Sequence, residues 1–233
     1  MVLVASYNIR KAIGADRRRR PDRILEVLCE VDADIVALQE ADRRFGERTT
    51  ALPLHMIAEH SPYMAVPLDV RPGSIGWHGN ALLVRRSATI AAHETIVLPA
   101  LEPRGAVMAD IEIGGVGVRV VGMHLDLSGL WRRRQAHAIL ARLAAMPRKL
   151  PTILMGDMNE WRTAGGCLND FSQHYRFAPT GPSFHARRPV ARLDRILVSE
   201  EWEVAGAGVH RTPGARTASD HLPIWARLNP IVA

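Results

Sequence analysis

Two short polar runs carry the side chains in this chain that are best suited to chemistry: Gly156-Asp157-Met158-Asn159 and Ser219-Asp220-His221-Leu222-Pro223. The first follows an apolar stretch typical of a buried strand, and the second precedes one. Carboxylates, amides and imidazoles at the end of a buried strand cost free energy unless they are paired or bind something. The two runs therefore predict a metal-dependent site for phosphate chemistry at the rim of a sheet.

Other polar residues also fall at the ends of predicted strands: Asn8, Glu40, His124, Asp126 and Asp194. Mg²⁺ usually takes one or two carboxylates and completes its shell with water and substrate phosphate. Glu40, Asp157 and Asp220 are suitable carboxylates, and the amides of Asn8 and Asn159 are neutral oxygen donors. We therefore expect Mg²⁺, with Mn²⁺ as an alternative. The sequence has neither a cysteine-rich nor an HExxH zinc motif.

A sheet must bring these residues together, and the chain is rich in strand-like segments. Apolar patterns predict strands over 2–9, 34–38, 63–66, 80–85, 90–98, 105–113, 116–124, 151–155, 193–198, 203–210 and 222–228. Helices are predicted over 21–31, around 50–60 and over 131–146, and the segment 160–190 is expected to be irregular. This order favours two packed sheets with helices on their outer faces. Without a linker or repeat, we expect one domain over residues 1–233.

Six motifs occur in a fixed order along the chain. They are Tyr7-Asn8-Ile9-Arg10, Leu38-Gln39-Glu40, Gly122-Met123-His124-Leu125, Gly156-Asp157-Met158-Asn159, Leu193-Asp194-Arg195-Ile196 and Ser219-Asp220-His221-Leu222-Pro223. Together they resemble the endonuclease/exonuclease/phosphatase superfamily, the deoxyribonuclease I-like group. The resemblance implies an α/β fold: a four-layer α/β/β/α sandwich of two mostly antiparallel mixed sheets flanked by helices, with the site at one end of the sheets.

The resemblance also implies roles for individual residues. Glu40 would be the principal metal ligand, with Asn8 and Asp220 as further ligands. Asp157 would orient or deprotonate the attacking water, and Asn159 would hold that water or a phosphate oxygen.

The remaining implied roles concern the phosphate. His221 would contact the phosphoryl group, and Asp194 would fix its tautomer and favour its cationic form. His124 matches the branch of the superfamily with histidine at this point, and Arg104 matches a phosphate-contacting arginine. Asn80 stands where some relatives carry a glutamate that pairs with the histidine at 124; an amide can still orient the imidazole by hydrogen bonding, but it cannot stabilise imidazolium as a carboxylate does. Asp126 is expected either to coordinate or orient, or only to form a turn.

The chain is basic, with 30 lysine and arginine against 24 aspartate and glutamate side chains, and it has dense runs at Arg17–Arg20 and Arg132–Arg134. Such runs could attract a nucleic-acid backbone or an anionic lipid headgroup at a membrane surface. Alternatively, the arginines reflect coding bias, and the second run is a solvated start of a helix.

Targeting signals are missing from the sequence. It shows no signal-peptide pattern and no apolar run long enough to span a bilayer. Its two cysteines, Cys29 in a predicted helix and Cys167 in a glycine-rich loop, form no CxxC motif. We expect Cys29 to fill the core and the protein to be cytoplasmic.

The leading hypothesis is a metal-dependent phosphodiesterase that uses direct in-line attack by water, because no serine, cysteine or threonine is placed as a covalent nucleophile. A small-molecule or lipid-headgroup phosphodiester is favoured because the chain is compact and has no long insertion to grip a duplex. A DNA or RNA endonuclease or exonuclease of the same superfamily is the alternative, followed by a catalytically silent phosphate-binding scaffold. No protein partner is implied.

Overall fold

The computed structural model describes residues 1–42, 49–68 and 73–231, and these residues form twelve strands, five α-helices and a short 3-10 turn at Arg10–Ala12. The strands are β1 (Val2–Asn8), β2 (Ile35–Gln39), β3 (Tyr63–Ala65), β4 (Ala81–Arg85), β5 (Thr89–Val97), β6 (Gly105–Ile113), β7 (Val116–His124), β8 (Thr152–Asp157), β9 (Arg176–Phe177), β10 (Asp194–Val198), β11 (Trp202–Val209) and β12 (Ile224–Pro230). The helices are α1 (Pro21–Val31), α2 (Leu54–His60), α3 (Gly129–Ala144), α4 (Cys167–Ser172) and α5 (Pro213–Ala218).

The strands form two six-stranded sheets. The first sheet has the order β11-β12-β1-β2-β4-β3, and the second has the order β5-β6-β7-β8-β10-β9. The second sheet is built from one uninterrupted stretch of chain, whereas β11 and β12 return to complete the first. Each sheet contains one parallel pair, β1 with β2 and β7 with β8, and the other pairs are antiparallel.

Three hydrophobic clusters separate four layers. One lies between the first sheet and the side chains of α1, α2 and α5, and a second joins the inner faces of the two sheets. The third lies between the second sheet and α3 and α4. The predicted α/β/β/α sandwich of two mixed sheets is therefore confirmed. One domain over 1–233 stays a prediction.

Most predicted elements match the structure to within a few residues. The hairpin at Gly114 and Gly115 has positive φ at both positions (57° and 76°), which suits the tight turn between β6 and β7. The segment 160–190 is not wholly irregular, since it contains α4 and β9, and α5 was not predicted either. These three elements have two to six residues, too few to show a period.

Both cysteine environments differ from the sequence-based expectation. Cys29 lies on the exposed side of α1, whose buried residues include Leu25 and Leu28, so it does not fill the core. Cys167 is not in a loop but begins α4, and it is buried. Over the part of the chain that the structure describes, no helix combines the length and apolar character needed to cross a membrane.

Candidate active site

The first sheet brings three of the motif segments to one edge. Asn8 is the last residue of β1 and Glu40 follows β2, and these strands are parallel, so their carboxyl ends meet at the same edge. Strand β12 runs antiparallel to β1, so the segment that precedes it, with Asp220 and His221, returns to that edge.

The second sheet brings the other motif segments to the same place. His124 ends β7 and Asp157 ends β8, and they are paired in the parallel register. Asp194 begins β10 and lies opposite Asp157 in the antiparallel register. Strand ends of both sheets therefore contribute residues to one site. A hydrogen bond of 3.0 Å from Asn8 Nδ2 to Asp157 Oδ2 joins the two sheets there.

Asp157 is the centre of this group and is almost completely buried. Its Oδ1 accepts a hydrogen bond from the backbone N–H of Asn159 at 2.9 Å. Its Oδ2 lies 3.5 Å from His124 Nε2 and 3.7 Å from His221 Nε2, besides the bond from Asn8. We call the residues Asn8, Arg104, His124, Asp157, Asn159, Asp194 and His221 the Asp157 cluster.

His221 is cationic in this environment. Its Nδ1 lies 2.8 Å from Oδ2 of the fully buried Asp194, which also accepts a hydrogen bond from the Ser183 hydroxyl. Burial disfavours the imidazolium, but the carboxylates of Asp194, Asp157 and Asp220 outweigh it and raise the pKa of His221 to about 10. The Nδ1 proton is held by Asp194, so Nε2 is left to donate to a ligand.

His124, in contrast, is neutral. Its Nε2 lies 2.7 Å from Arg104 Nη1, and the guanidinium can only donate, so this ring nitrogen accepts. Burial and the charge of Arg104 lower the pKa of His124 to about 3, against the pull of Asp157. The cation on this side of the cluster is therefore Arg104, with a neutral imidazole behind it.

Two ion pairs lie beside the cluster. Lys11 Nζ contacts Glu40 Oε2, and Arg10 Nε lies 3.3 Å from Asp220 Oδ2. We call these the rim pairs; their side chains are 23–39% exposed. Both basic residues lie in a turn whose residues have positive φ: 47° at Arg10, 57° at Lys11 and 60° at Ala12.

Glu40 and Asn159 also have positive φ, at 52° and 50°. This conformation is uncommon for residues other than glycine and is often retained where function requires it. Together with the turn at Arg10–Ala12, left-handed backbone is therefore concentrated around the site.

The donors available to a metal fall into two sets. The side chains of Asp157, Asp194 and His221 offer ligand atoms within 4.8 Å of one another. However, an imidazolium has no free lone pair, and Asp194 Oδ2 already accepts from His221 and Ser183, so this trio holds a proton rather than a cation, although Asp194 Oδ1 has no hydrogen-bond partner among the described residues.

Glu40, Asp220 and the Asn8 amide oxygen form the other set, and they suit a hard cation. Two carboxylates that already attract an ammonium and a guanidinium fit a divalent ion. The Asn8 oxygen accepts one hydrogen bond, from Arg10 N–H at 3.1 Å, and keeps a second lone pair.

Three further predicted residues have contacts of a structural kind. Asn159 Nδ2 donates to the Leu125 carbonyl at 2.8 Å, which leaves one amide N–H for a ligand. Asn80 Nδ2 donates to the Gly105 carbonyl at 2.9 Å and is not hydrogen-bonded to His124 in the described residues, and its role of orienting that histidine stays a prediction. Asp126 Oδ1 accepts from Ser128 N–H at 2.9 Å, a contact typical of a turn, and its expected coordinating or orienting role stays a prediction.

The second basic run makes contacts within the protein. Arg132 is buried and donates to Glu160 Oε2 at 2.9 Å, and Arg133 pairs with Asp170 at 3.1 Å. The Arg134 guanidinium stacks over Trp131 at 4.8 Å.

Sequence reasoning missed Lys11, Ser183 and Phe184, whose ring lies 4.8 Å from that of His221. Lys11 carried a signal, because it is one of only two lysines in this arginine-rich chain. Neither Ser183 nor Phe184 stands in a motif, and only the fold places them against Asp194 and His221.

Comparison with known proteins gives one family and several similar folds. The model of the endonuclease/exonuclease/phosphatase family matches residues 5–221. A search of curated protein sequences gives no significant match.

Three solved structures illustrate the similarity of fold. The mannosyl-6-phosphatase of Bacteroides thetaiotaomicron VPI-5482 has a TM-score of 0.75 at 23% identity, over 98% of this chain and 100% of that one. The human Nocturnin catalytic domain with bound sulfate has a TM-score of 0.74 at 21% identity, over 98% and 94%. D. rerio TDP2 complexed with single-strand DNA product has a TM-score of 0.74 at 16% identity, over 98% of both chains.

Proposed function

Because this chain belongs to the endonuclease/exonuclease/phosphatase family, we propose that it is a metal-dependent phosphoester hydrolase that cleaves a phosphodiester of a small molecule or lipid headgroup by in-line attack of water. The arrangement around Asp157 is the observation that carries this proposal. A buried carboxylate is held from two sides, by Asn8 and by the Asn159 backbone, between a cationic His221 and an Arg104–His124 pair.

Asp157 acts on the water in this proposal. Hydrogen bonds from Asn8 Nδ2 and Asn159 N–H fix the orientation of its carboxylate, so an oxygen can accept the proton of an aligned water. Asn159 lies beside Asp157, and its remaining side-chain N–H would donate to the same water or to a phosphate oxygen.

His221 and Arg104 act on the phosphate. Cleavage of a phosphodiester builds negative charge on the phosphoryl oxygens, and fixed cations stabilise that charge without reorganisation. His221 keeps its proton because of Asp194, and it donates through Nε2. His124, which is neutral, accepts from Arg104 and fixes the position of the guanidinium.

A divalent cation held by Glu40, with Asn8 and Asp220, would supply a Lewis acid that polarises a phosphoryl oxygen. Mg²⁺ and Mn²⁺ are the proposed ions because all three donors are oxygens. Binding there requires Lys11 and Arg10 to give up their present contacts with Glu40 and Asp220.

The fate of the second basic run supports a small substrate. Arg132 is buried in its pair with Glu160, and the exposed Arg133 and Arg134 contact Asp170 and Trp131, so this run offers fewer unpaired cations to a nucleic-acid backbone than its sequence suggests. The alternative of a nuclease is supported by the exposed run Arg17–Arg20, in which Arg19 donates to the Lys11 carbonyl beside the rim pairs. The same run would bring anionic headgroups of a membrane surface to the site. The free thiol of the exposed Cys29 supports a reducing compartment, for which we propose the cytoplasm.

The test is hydrolysis of bis(p-nitrophenyl) phosphate with Mg²⁺ or Mn²⁺. We expect chelation to abolish turnover and Asp157→Asn to lower kcat by about 100- to 10,000-fold, the range for losing a general base. Asp22→Asn changes a partly exposed aspartate that pairs with Arg20; it is the matched control and should keep full activity.

The same assay is run with p-nitrophenyl phosphate, phospholipid, plasmid DNA and RNA at one salt concentration. Hydrolysis of none of these esters with any divalent ion would contradict the enzymatic proposal. Nicking of DNA at an enzyme concentration far below that needed for the small diester would replace it with the nuclease.

A further inference from the structure

A pocket lies behind the Asp157 cluster, on the other face of the second sheet. Its volume is about 300 Å³, and its lining includes Thr163, Leu168, Phe177, Thr180, Arg192 and Arg195. Side chains alternate along β10: Asp194 belongs to the Asp157 cluster and Ile196 to the core between the sheets. Leu197 packs with the outer helices instead, and Arg195 shares its face.

Arg195 is a buried cation without an acidic partner. Arg195 is only 9% exposed. Within the described residues its side chain donates one hydrogen bond, from Nη2 to the Arg162 carbonyl at 3.2 Å. Across residues 1–42, 49–68 and 73–231, no ion pair involves Arg195 or Arg192. Burying a charge without a partner is costly, so this arrangement requires an explanation.

The two carboxylates that attract Arg195 electrostatically, Asp194 and Glu160, form no ion pair with it and have other partners. Glu160 Oε2 accepts from Arg132 at 2.9 Å, and Asp194 Oδ2 accepts from His221 and Ser183 on the other face of β10. Burial, together with the like charge of Arg192, lowers the pKa of the Arg195 guanidinium. An anion in the pocket would remove this electrostatic penalty.

The rest of the lining indicates what kind of anion fits. The guanidinium of Arg195 has N–H donors beyond the one used by Arg162, and planar guanidinium groups bind tetrahedral oxyanions through paired hydrogen bonds. The hydroxyls of Thr163 and Thr180 add donors, whereas Leu168 and Phe177 provide an apolar wall. We propose that this pocket is a binding site for a small phosphate or phosphonate oxyanion that carries an apolar group, separate from the catalytic site.

The test measures binding rather than turnover. Phenylphosphonate, which resists hydrolysis, and inorganic phosphate are titrated calorimetrically into the whole protein in the presence of a chelator. We expect Arg192→Gln and Arg195→Gln each to raise the Kd for phenylphosphonate at this site by about tenfold or more, the loss of one charge-assisted contact. Arg192 is exposed and unpaired within the described chain, so its variant tests the site even if Arg195→Gln does not fold.

Two control variants isolate the pocket. Arg188→Gln removes the same charge at another exposed position and should leave the Kd within about twofold, since distant surface charges are screened. Arg104→Gln removes the arginine of the catalytic side and should leave the pocket's binding event in place.

Unchanged binding in both pocket variants, or loss of all binding in Arg104→Gln, would overturn the proposal. Equal affinities for phosphate and phenylphosphonate would overturn its apolar part. The results for the pocket variants do not bear on the proposed hydrolysis, because Arg192 and Arg195 are not part of the Asp157 cluster.

Discussion

At the scale of single residues, the two histidines on either side of the Asp157 carboxylate differ in protonation: His124 is neutral and His221 is cationic. Burial dominates at His124, where Arg104 already supplies a positive charge, and its pKa falls to about 3. At His221 the surrounding carboxylates outweigh burial, and its pKa rises to about 10. The cluster therefore keeps a fixed cation on each flank of Asp157, one an imidazolium and one a guanidinium, over the whole neutral range.

The His221 proton predicts a dependence of stability on pH. The folded protein keeps this proton up to about pH 10, whereas the unfolded chain releases it near pH 6.5. Its stabilising contribution is complete below pH 6.5 and is lost as the pH rises towards 10, by at most about 1.4 kcal/mol per pH unit. Urea unfolding in chelator should show this decline in the wild type and a flatter curve in His221→Gln.

The exposed His93 provides the control for this experiment, and His93→Gln should follow the wild-type curve. A wild-type curve that is parallel to that of His221→Gln between pH 6.5 and 10 would show that the imidazolium is not held as described.

Lys11 predicts a competition for the Glu40 carboxylate. A divalent ion at Glu40 meets a resident ammonium, so Lys11→Met should tighten Mn²⁺ binding by about tenfold, the effect of one unit charge a few ångströms from a divalent ion in a partly hydrated site. Free Mn²⁺ measured by electron paramagnetic resonance gives the affinity without requiring turnover. Lys149→Met is the matched control, because the only other lysine is exposed and donates to the Ala144 carbonyl. Weaker Mn²⁺ binding in Lys11→Met would mean that the lysine organises Glu40 instead of competing for it.

At the scale of elements, the site depends on how closely β7 and β8 lie together. Their parallel register pairs Met123 with Gly156 and His124 with Asp157. A Cβ at Gly156 would lie 1.9 Å from the Met123 carbonyl oxygen, far inside van der Waals contact, so one of the two strands would have to shift. The glycine before Asp157 is therefore required by the strand partner as much as by the chemistry.

This close approach predicts that Gly156→Ala destabilises the protein by about 2 kcal/mol or more, as overpacking of a core does. It should also lower activity, since β8 must move with Asp157. Thermal or urea unfolding measures the first effect, and diester hydrolysis the second. Gly117→Ala is the control on the neighbouring strand, where a Cβ would meet Leu150 Cδ2 at an ordinary 3.7 Å, and it should change stability by less than about 1 kcal/mol. A Gly156→Ala protein as stable as Gly117→Ala would show that the two strands are not so closely packed.

At the scale of the whole molecule, the long strands, the layer order and the segments that form the site could be predicted from the sequence. Those features depend on local periodicity and on motifs at strand ends, such as the runs around Asp157 and Asp220. The contacts of Asn80 and Asp126 could not be predicted, because an amide or carboxylate beside a strand can bond to backbone as well as to an imidazole. The rim pairs could not be predicted either, because no local sequence pattern indicates that Lys11 and Glu40, 29 residues apart in the chain, are in contact.

The place of β12 in the first sheet has a consequence for how the protein folds as it is synthesised. Strand β1 leaves the ribosome first, but the strand that pairs with one of its two edges, β12, is synthesised last. The hydrogen-bond partner of Asn8, Asp157, lies 149 residues downstream. Until Ile224–Pro230 has been synthesised, the nascent chain carries an open strand edge, of the kind that other chains can join. The same delay keeps His221 away from Asp157, so the Asp157 cluster is complete only after the first sheet has closed.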